Sequence, residues 1–303
     1  MKNKKIIVTG ANGQLGKELH ALARAGLFAG PDFAGDPTSP DDFVFLSKAD
    51  LPIEDPERTR RFFENTRPDY CINCAAYTAV DKAETEKDLA FAINGEAVGT
   101  LAAACQRIGA RLIHISTDYV FDGRSAVPLK EGNPTGPINI YGASKLQGEQ
   151  LALEQNKDTV IIRTSWVYSE FGNNFVKTMI RLMHEKERIN VVDDQIGSPT
   201  YAANLAGVIG QIVTGGKFVP GVYHYSNEGQ ISWYDFALAI KEIIESPCIV
   251  SPVTTAQYPT PARRPHYSLL DKGLIKATYG ITIPEWRHSL ALCIAKMTSY
   301  GTT

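Results

Sequence analysis

The stretch Ile6-Ile7-Val8-Thr9-Gly10-Ala11-Asn12-Gly13-Gln14-Leu15-Gly16 joins a β-branched run to the start of an amphipathic pattern. The run over residues 4–9 predicts a buried strand, and the leucine spacing over residues 14–25 predicts a helix. A G-x-x-G-x-x-G turn lies between them. Glycines allow the backbone to approach a pyrophosphate, and the helix N-terminus attracts its charge. The spacing differs from G-x-G-x-x-G, and other tight turns also use glycine, but this position favours a dinucleotide site at Gly10, Asn12, Gly13, Gln14, Leu15 and Gly16.

Strand and helix patterns continue to alternate after this turn. Strands are predicted over residues 43–46, 70–74, 111–116 and 159–164, and helices over residues 54–65, 85–108 and 141–155. Such alternation is typical of an α/β fold with a doubly wound parallel sheet of the Rossmann type. A dinucleotide-binding domain is therefore expected over residues 1–165.

Beyond residue 166 the alternation becomes irregular. Helices are predicted over residues 174–186, 201–214 and 233–244, strands over 188–192 and 221–225, and chain breaks at the proline-rich segments 247–252 and 259–265. Residues 166–303 are therefore expected to form a smaller, irregular substrate-binding lobe, with some strands returning to the main sheet.

Composition and charge give no support for a nucleic-acid-binding, membrane-spanning or disulfide-rich protein. The 303 residues carry 31 Lys and Arg against 33 Asp and Glu, a formal charge of -2, which gives no electrostatic case for nucleic acid or an anionic membrane. No apolar run reaches the ~18 residues of a membrane span, and the N-terminus lacks a signal-peptide pattern, so a cytoplasmic protein is expected. Five cysteines form no disulfide framework. Cys71 and Cys74 lie in a strand pattern without a nearby His, which favours a structural role over a redox or metal site.

Two further motifs carry chemistry. Tyr141 and Lys145 lie four residues apart on one predicted helix face, and a nearby ammonium is expected to lower the phenol pKa, so that Tyr141 exchanges a proton with a carbonyl oxygen. Thr117 follows the fourth predicted strand, at the edge where ligands bind in such sheets. Taken singly, the pair is more typical of surface residues, and the threonine of a local cap.

Together the three motifs resemble the short-chain dehydrogenase/reductase superfamily, in its extended branch that acts on sugar nucleotides. Asn94 resembles the asparagine of that family's proton relay, although a buried Asn can also satisfy a backbone carbonyl. Longer segments are similar to the dTDP-4-dehydrorhamnose reductase family, namely residues 73–84, 163–168, 172–175, 193–200 and Arg264-Pro265 with Ser268. The loop over residues 30–42 is longer than this family usually carries.

The resemblance implies hydride transfer from NAD(P)H to C4 of a 4-keto-6-deoxy sugar on a nucleoside diphosphate. Tyr141 would protonate the C4 oxygen, Lys145 would hold the nicotinamide ribose, and Thr117 would hydrogen-bond the keto oxygen. Substrate contacts are expected from Thr117, Asp118, Tyr119, Trp166, Asn174 and Arg264. Trp166 reads equally well as a core aromatic residue.

Cofactor preference is expected to depend on the end of the second strand. Ser47 and Lys48 stand where an acidic residue would favour NAD, so NADPH is predicted, with NADH also usable. Asp50 and Leu51 resemble the pair that flanks the adenine. The resemblance also implies cofactor contacts from further residues, namely Ala75, Ala76, Tyr77, Thr78, Asn94, Tyr141 and Lys145.

Several alternatives stay open at this point. Related 4,6-dehydratases carry T-D-E where this chain has Thr117-Asp118-Tyr119, so the missing Glu favours a reductase. A reductase or 4-epimerase for another nucleotide sugar is a second interpretation. A third is a non-catalytic subunit similar to the regulatory β subunit of methionine adenosyltransferase. Some members of the family dimerise around a divalent cation, so a homodimer and metal dependence are left open, although no local carboxylate cluster predicts a metal site.

Overall fold

The computed structural model describes residues 4–26 and 40–300. Residues 30–39 of the predicted long loop over residues 30–42 lie outside the described residues. Its last three residues, Pro40–Asp42, form a single 3-10 turn that leads into the second strand.

Twelve strands are present in the described ranges. They are β1 (Ile6–Thr9), β2 (Phe43–Leu46), β3 (Tyr70–Asn73), β4 (Arg111–Thr117), β5 (Thr159–Thr164), β6 (Val167–Tyr168), β7 (Arg188–Val192), β8 (Ile196–Gly197), β9 (Thr200–Tyr201), β10 (Gly221–His224), β11 (Ile231–Ser232) and β12 (Ile249–Val253).

Eleven α-helices accompany these strands in the same ranges. They are α1 (Gln14–Arg24), α2 (Pro56–Thr66), α3 (Val80–Ala83), α4 (Lys87–Phe91), α5 (Ala97–Ile108), α6 (Ile140–Gln155), α7 (Phe175–Glu185), α8 (Ala202–Thr214), α9 (Trp233–Ile243), α10 (Gly273–Tyr279) and α11 (Trp286–Tyr300). No helix in the described ranges is both long and apolar enough to cross a bilayer.

The central sheet has six parallel strands in the order β10-β5-β4-β3-β1-β2. The strand order reverses at β1, which pairs with both β2 and β3. A crevice opens at such a reversal, beyond the carboxyl ends of the strands, and it is where ligands bind in this class of sheet. The predicted doubly wound α/β fold is therefore confirmed.

Hydrophobic side chains alternate between the two faces of this sheet. Ile6 and Val8 of β1 join the core beneath α1 and α8, whereas Ile7 joins the core beneath α2 and α5. All three are fully buried. The helices therefore cover both faces, as near-continuous apolar strands require.

The C-terminal half contributes to the main sheet as well as to a separate core. Strand β10 pairs in parallel with β5, so the chain returns to the main sheet after leaving it. A second core collects side chains from α7, α9 and α11 around β7 and β12. The division at residue 165 stays a prediction.

Several elements differ from the sequence-based predictions, and three of these differences have a clear structural cause. Helix α2 begins at Pro56 rather than residue 54, because the Asp55 side chain accepts a hydrogen bond from the Arg58 N–H and caps the helix. The helix predicted over residues 85–108 begins at Lys87 and contains a π turn at Ala92–Glu96 between α4 and α5. Residues 247–252 do not simply break the chain: β12 runs through them parallel to β7, and Pro252 is tolerated in this two-stranded edge pair.

Candidate active site

A cavity of about 710 Å³ opens at the carboxyl ends of β1, β3, β4 and β5. This volume is within the range of small-molecule and cofactor sites. The predicted residues in its wall are Gly10, Asn12, Gly13, Gln14, Leu15, Gly16, Ser47, Lys48, Ala75, Ala76, Thr78, Thr117, Asp118, Tyr119, Tyr141, Lys145 and Trp166. The predicted residues outside that wall are Asp50, Leu51, Tyr77, Asn94, Asn174 and Arg264.

The glycine turn brings two backbone segments into close contact. Gly10 has φ +70, and a Cβ there would lie 2.6 Å from the Ala75 nitrogen. The Gly13 N–H donates to the Gly10 carbonyl at 3.0 Å, and Gly13 caps α1 without a side-chain hydrogen bond. Within this described helix no acidic side chain occupies the first turn. Free N–H groups and an uncompensated positive helix end suit the pyrophosphate of a dinucleotide.

The Tyr141 and Thr117 hydroxyls lie together in the cavity. Tyr141 lies in the first turn of α6, which Asn139 caps by accepting from the Gly142 N–H at 2.7 Å. Thr117 ends β4 and donates to Asp118 Oδ1 at 3.0 Å. Burial raises the pKa of Tyr141 to about 12, and a hydrogen bond with Thr117 opposes part of this shift. Tyr141 therefore keeps its proton near neutral pH.

Lys145 lies one turn farther along α6 and is buried. Its Nζ donates to the Ile115 carbonyl at 2.6 Å, and burial lowers its pKa to about 8. The expected lowering of the Tyr141 pKa by Lys145 is wrong for this structure. Burial dominates the pKa of both residues, and Lys145 Nζ is directed to a backbone carbonyl.

Asn94 lies in the π turn and makes structural hydrogen bonds. Its Oδ1 accepts from the Tyr77 N–H at 2.8 Å, and its Nδ2 donates to the Tyr77 carbonyl and the Ser144 hydroxyl at 3.0 Å each. Tyr77 itself donates from its hydroxyl to Glu86 at 2.7 Å. These bonds use both polar hydrogens of the Asn94 side-chain amide, so that side chain has a structural role here, and its part in a proton relay stays a prediction.

Asn174 and Arg264 are also engaged elsewhere. The Asn174 side chain accepts from the Lys177 N–H at 3.1 Å, as the cap of α7, and donates to Gln14 Oε1 at 2.9 Å. Arg264 forms a bidentate pair with Asp81 at 2.9 Å for both contacts. The pair with Asp81 engages the two Nη atoms of Arg264, whereas Asn174 would have to leave a partner to donate to a ligand. The predicted contacts of both residues with the substrate's nucleotide and diphosphate stay predictions.

The end of β2 presents the polar side chains of Ser47 and Lys48 to the cavity, and both side chains contact neighbouring carboxylates. Asp50 accepts from the Ser47 hydroxyl at 2.6 Å and thereby closes the turn after β2, while Leu51 is buried in the core. The Lys48 ammonium lies 2.7 Å from Glu54, which also lines the cavity. Lys48 itself is exposed, so its charge can reach a ligand at this end.

Trp166 packs against the second core and also lines the cavity. It follows β5 with φ 48 and stacks on Trp233 of the C-terminal lobe, with ring centroids 3.7 Å apart. The pair packs on the second core and also lines the cavity. The sequence position of Trp233 predicts only a helix start and gives no signal of this contact.

Buried charges beneath the site were also not foreseen. Arg163 of β5 pairs with Glu149 of α6 at 2.6 Å, and Glu149 accepts from the Ser116 hydroxyl. His114 of β4 lies against Lys145. A strand pattern of Arg-Leu-Ile-His-Ile-Ser gives no signal that its His faces a lysine from another element. Among the described residues, no group of three or more His, Cys, Asp or Glu could hold a metal ion.

Comparisons with known proteins agree with this geometry. The model of the family described as RmlD substrate binding domain matches residues 4–299. The chain is 42% identical to a dTDP-4-dehydrorhamnose reductase of Burkholderia thailandensis, over 97% of this chain and 99% of that protein. It is also 42% identical to the spore coat polysaccharide biosynthesis protein SpsK of Bacillus subtilis, over 94% and 95%.

Solved structures extend the similarity to three dimensions. A dTDP-4-dehydrorhamnose reductase from Bacillus anthracis, crystallised in complex with NADP, is 40% identical and superposes with a TM-score of 0.89. The superposition covers 97% of this chain and 100% of that one. The chain therefore belongs to the dTDP-4-dehydrorhamnose reductase family.

Proposed function

We propose that this protein reduces the C4 keto group of dTDP-4-dehydro-6-deoxy-L-mannose to give dTDP-L-rhamnose, using NADPH. The observation that carries the proposal is that the Tyr141 and Thr117 hydroxyls share one cavity with a glycine turn suited to a pyrophosphate. The relatives named as reductases of this sugar nucleotide, at 38–42% identity over nearly the whole chain, support the choice of substrate.

The residues divide the proposed reaction between binding and proton transfer. NADPH, when bound, supplies a hydride to the keto carbon. The N–H groups around Gly13 hold its pyrophosphate, and Lys145 holds its nicotinamide ribose. Thr117 turns its hydroxyl from Asp118 to donate to the keto oxygen, and Tyr141 donates its proton to that oxygen as negative charge develops there. A phenol with a raised pKa starts in the protonated form that reduction needs.

The remaining wall of the cavity would hold the sugar nucleotide. Asp118 and Tyr119 follow Thr117, and Trp166 with Trp233 forms an aromatic surface on the side of the C-terminal lobe. We propose that residues 166–303 mainly supply this substrate side and residues 1–165 the cofactor side. A homodimer and a cytoplasmic location stay predictions.

The proposal is tested by following oxidation of NADPH with enzymatically prepared dTDP-4-dehydro-6-deoxy-L-mannose. We expect stoichiometric oxidation and dTDP-L-rhamnose as product. Binding of NADPH without oxidation would contradict the proposal and favour either a different nucleotide sugar or the regulatory-subunit interpretation. Retention of tightly bound NAD through turnover would instead indicate an epimerase.

Gly16→Ala is expected to weaken NADPH binding by roughly 10-fold or more, because overpacking costs about 1–3 kcal/mol. A Cβ at Gly16 would lie 2.8 Å from the Ala11 Cα and would also meet the Gly10 carbonyl oxygen, so the turn must shift. Fluorescence titration with NADPH measures the effect. Gly207→Ala is the matched control, since a Cβ there meets nothing within 4 Å and should leave binding unchanged.

Lys48→Met is expected to weaken NADPH binding by about fivefold, the value of a single exposed charge contact. NADH lacks the 2′-phosphate and should bind the variant as it binds the parent. Dissociation constants for both cofactors, measured on both proteins, provide this internal control. An equal loss for NADH and NADPH would remove Lys48 from 2′-phosphate recognition.

A further inference from the structure

A chain of buried polar side chains runs beneath the cavity and ends at Lys145. The Thr9 hydroxyl donates to Asn73 Oδ1 at 2.6 Å, and Asn73 Nδ2 lies 3.0 Å from His114 Nδ1. His114 Nε2 in turn lies 3.3 Å from Lys145 Nζ. Asn73 and His114 are 0% exposed and Lys145 is 1% exposed. The chain crosses β1, β3 and β4 before it reaches α6, and the proposed mechanism gives no task to Thr9, Asn73 or His114.

The orientation of the Asn73 amide is fixed by a backbone group. The Ala75 N–H lies 3.2 Å from Asn73 Oδ1, and a backbone N–H can only donate. The atom that faces Ala75 is therefore the amide oxygen. The NH₂ group of Asn73 must then face His114.

This orientation fixes the tautomer of His114. Because Asn73 Nδ2 donates, His114 Nδ1 must accept, and a neutral imidazole then carries its proton on Nε2. Burial lowers the pKa of His114 well below its usual range, so the ring stays neutral. The Nε2–H group consequently points at the Lys145 amine.

Lys145 cannot satisfy this contact equally in both protonation states. A neutral amine has a lone pair that accepts the Nε2–H, while it donates to the Ile115 carbonyl. An ammonium has three donors and no acceptor, so one of its N–H groups would face the His114 Nε2–H with no acceptor between them. The other titratable groups that act on Lys145 are Glu149 of the same helix and Cys74 after β3, and both favour the charged form.

We propose that His114 is a positioning residue whose Nε2–H, fixed by Asn73, donates to the Lys145 amine and favours the neutral form of that amine in the cofactor-free protein. In the proposed function Lys145 holds the nicotinamide ribose. The arrangement would then set the pH above which cofactor affinity falls. Only this consequence rests on the proposed function, because the contact itself belongs to the protein alone.

The tautomer is measured directly by nitrogen NMR of ¹⁵N-histidine-labelled, cofactor-free protein near neutral pH. The His114 signals are assigned by their loss in His114→Phe. We expect a neutral ring with the proton on Nε2. A proton on Nδ1, or an imidazolium, would overturn the proposal.

The effect on Lys145 is measured by titrating protein labelled with ¹³C at the lysine Cε, with Lys145→Arg providing the assignment. We expect Lys145 to titrate below the exposed lysines, and its midpoint to rise by about one unit in His114→Phe, which removes the donor to the neutral amine. His184→Phe, on α7, should leave the midpoint unchanged. An unshifted midpoint in folded His114→Phe contradicts the proposal.

Asn73→Asp provides a second test that keeps the His114 ring. A carboxylate accepts from Ala75 and requires a proton on His114 Nδ1, which leaves Nε2 free to accept from a Lys145 ammonium. We therefore expect the tautomer to switch and the Lys145 midpoint to rise. A proton that stays on Nε2 would overturn the proposal. Neither measurement uses cofactor or substrate, so failure of the proposed function would leave these results interpretable.

Discussion

Tyr141→Phe is expected to lower turnover of the 4-keto nucleotide sugar by about 100-fold or more, the usual loss when a positioned general acid is removed. The substitution removes one oxygen and keeps the ring, which packs edge to face against Tyr119 with centroids 5.7 Å apart. Thr117 remains to hydrogen-bond the keto oxygen. We therefore expect the loss in kcat, with a much smaller change in NADPH binding.

Steady-state kinetics and NADPH titration on the same preparation separate these two effects. Tyr279→Phe is the control, because that hydroxyl donates to the Val219 carbonyl at 3.1 Å and the residue does not line the cavity. Its kcat should equal that of the parent. Turnover by Tyr141→Phe within a few fold of the parent would remove Tyr141 from its role as proton donor.

Arg163→Met is expected to lower the free energy of unfolding by about 3–5 kcal/mol, because it leaves a buried carboxylate without its partner. The side chains of Arg163 and Glu149 are 6% and 3% exposed, and two of their nitrogen–oxygen contacts are 2.6 and 2.9 Å. Urea unfolding of parent and variant measures the difference.

Two comparisons distinguish loss of this ion pair from a general effect of losing arginine. Arg181→Met breaks the exposed Arg181–Glu185 pair on α7 and should change stability by less than about 0.5 kcal/mol. Adding Glu149→Leu to Arg163→Met should restore part of the stability, since neither charge of this pair then remains buried. A loss below about 1 kcal/mol in Arg163→Met would show that Glu149 finds another way to be neutralised.

Local patterns in the sequence predicted the elements that create the cavity. The run Ile6–Thr9, its glycine turn and α1 are local features, and the alternation that follows predicts that the strands are parallel. Once the strands are parallel, Thr117 and Tyr141 must lie at the same edge as Gly10. This is why most of the residues predicted near the cofactor do line the cavity.

Other features of the site depend on the partner that each side chain finds in the folded chain, and the substrate contacts of Arg264 and Asn174 stay predictions. Arg264 pairs with Asp81, 183 residues away, and the pair uses the guanidinium geometry that suggested a phosphate contact. Asn174 has the amide expected of a ligand-binding residue, but the same amide serves as the cap of α7. The lowered Tyr141 pKa was expected from helical spacing alone, whereas burial and the Ile115 carbonyl determine the state of the pair. The Asp81 and Ile115 partners lie far along the chain and cannot be read from a local pattern, whereas the capping role of Asn174 is local.

The most direct test of the central claim is to follow the hydride itself. The protein is incubated with dTDP-4-dehydro-6-deoxy-L-mannose and NADPH that carries deuterium at the transferable position of the nicotinamide, and the sugar product is examined by proton and deuterium NMR. We expect deuterium at C4 of dTDP-L-rhamnose, in an amount equal to the NADPH oxidised. Oxidised cofactor without deuterium at C4, or no product at all from protein that binds NADPH, would contradict the claim that this cavity reduces the 4-keto sugar.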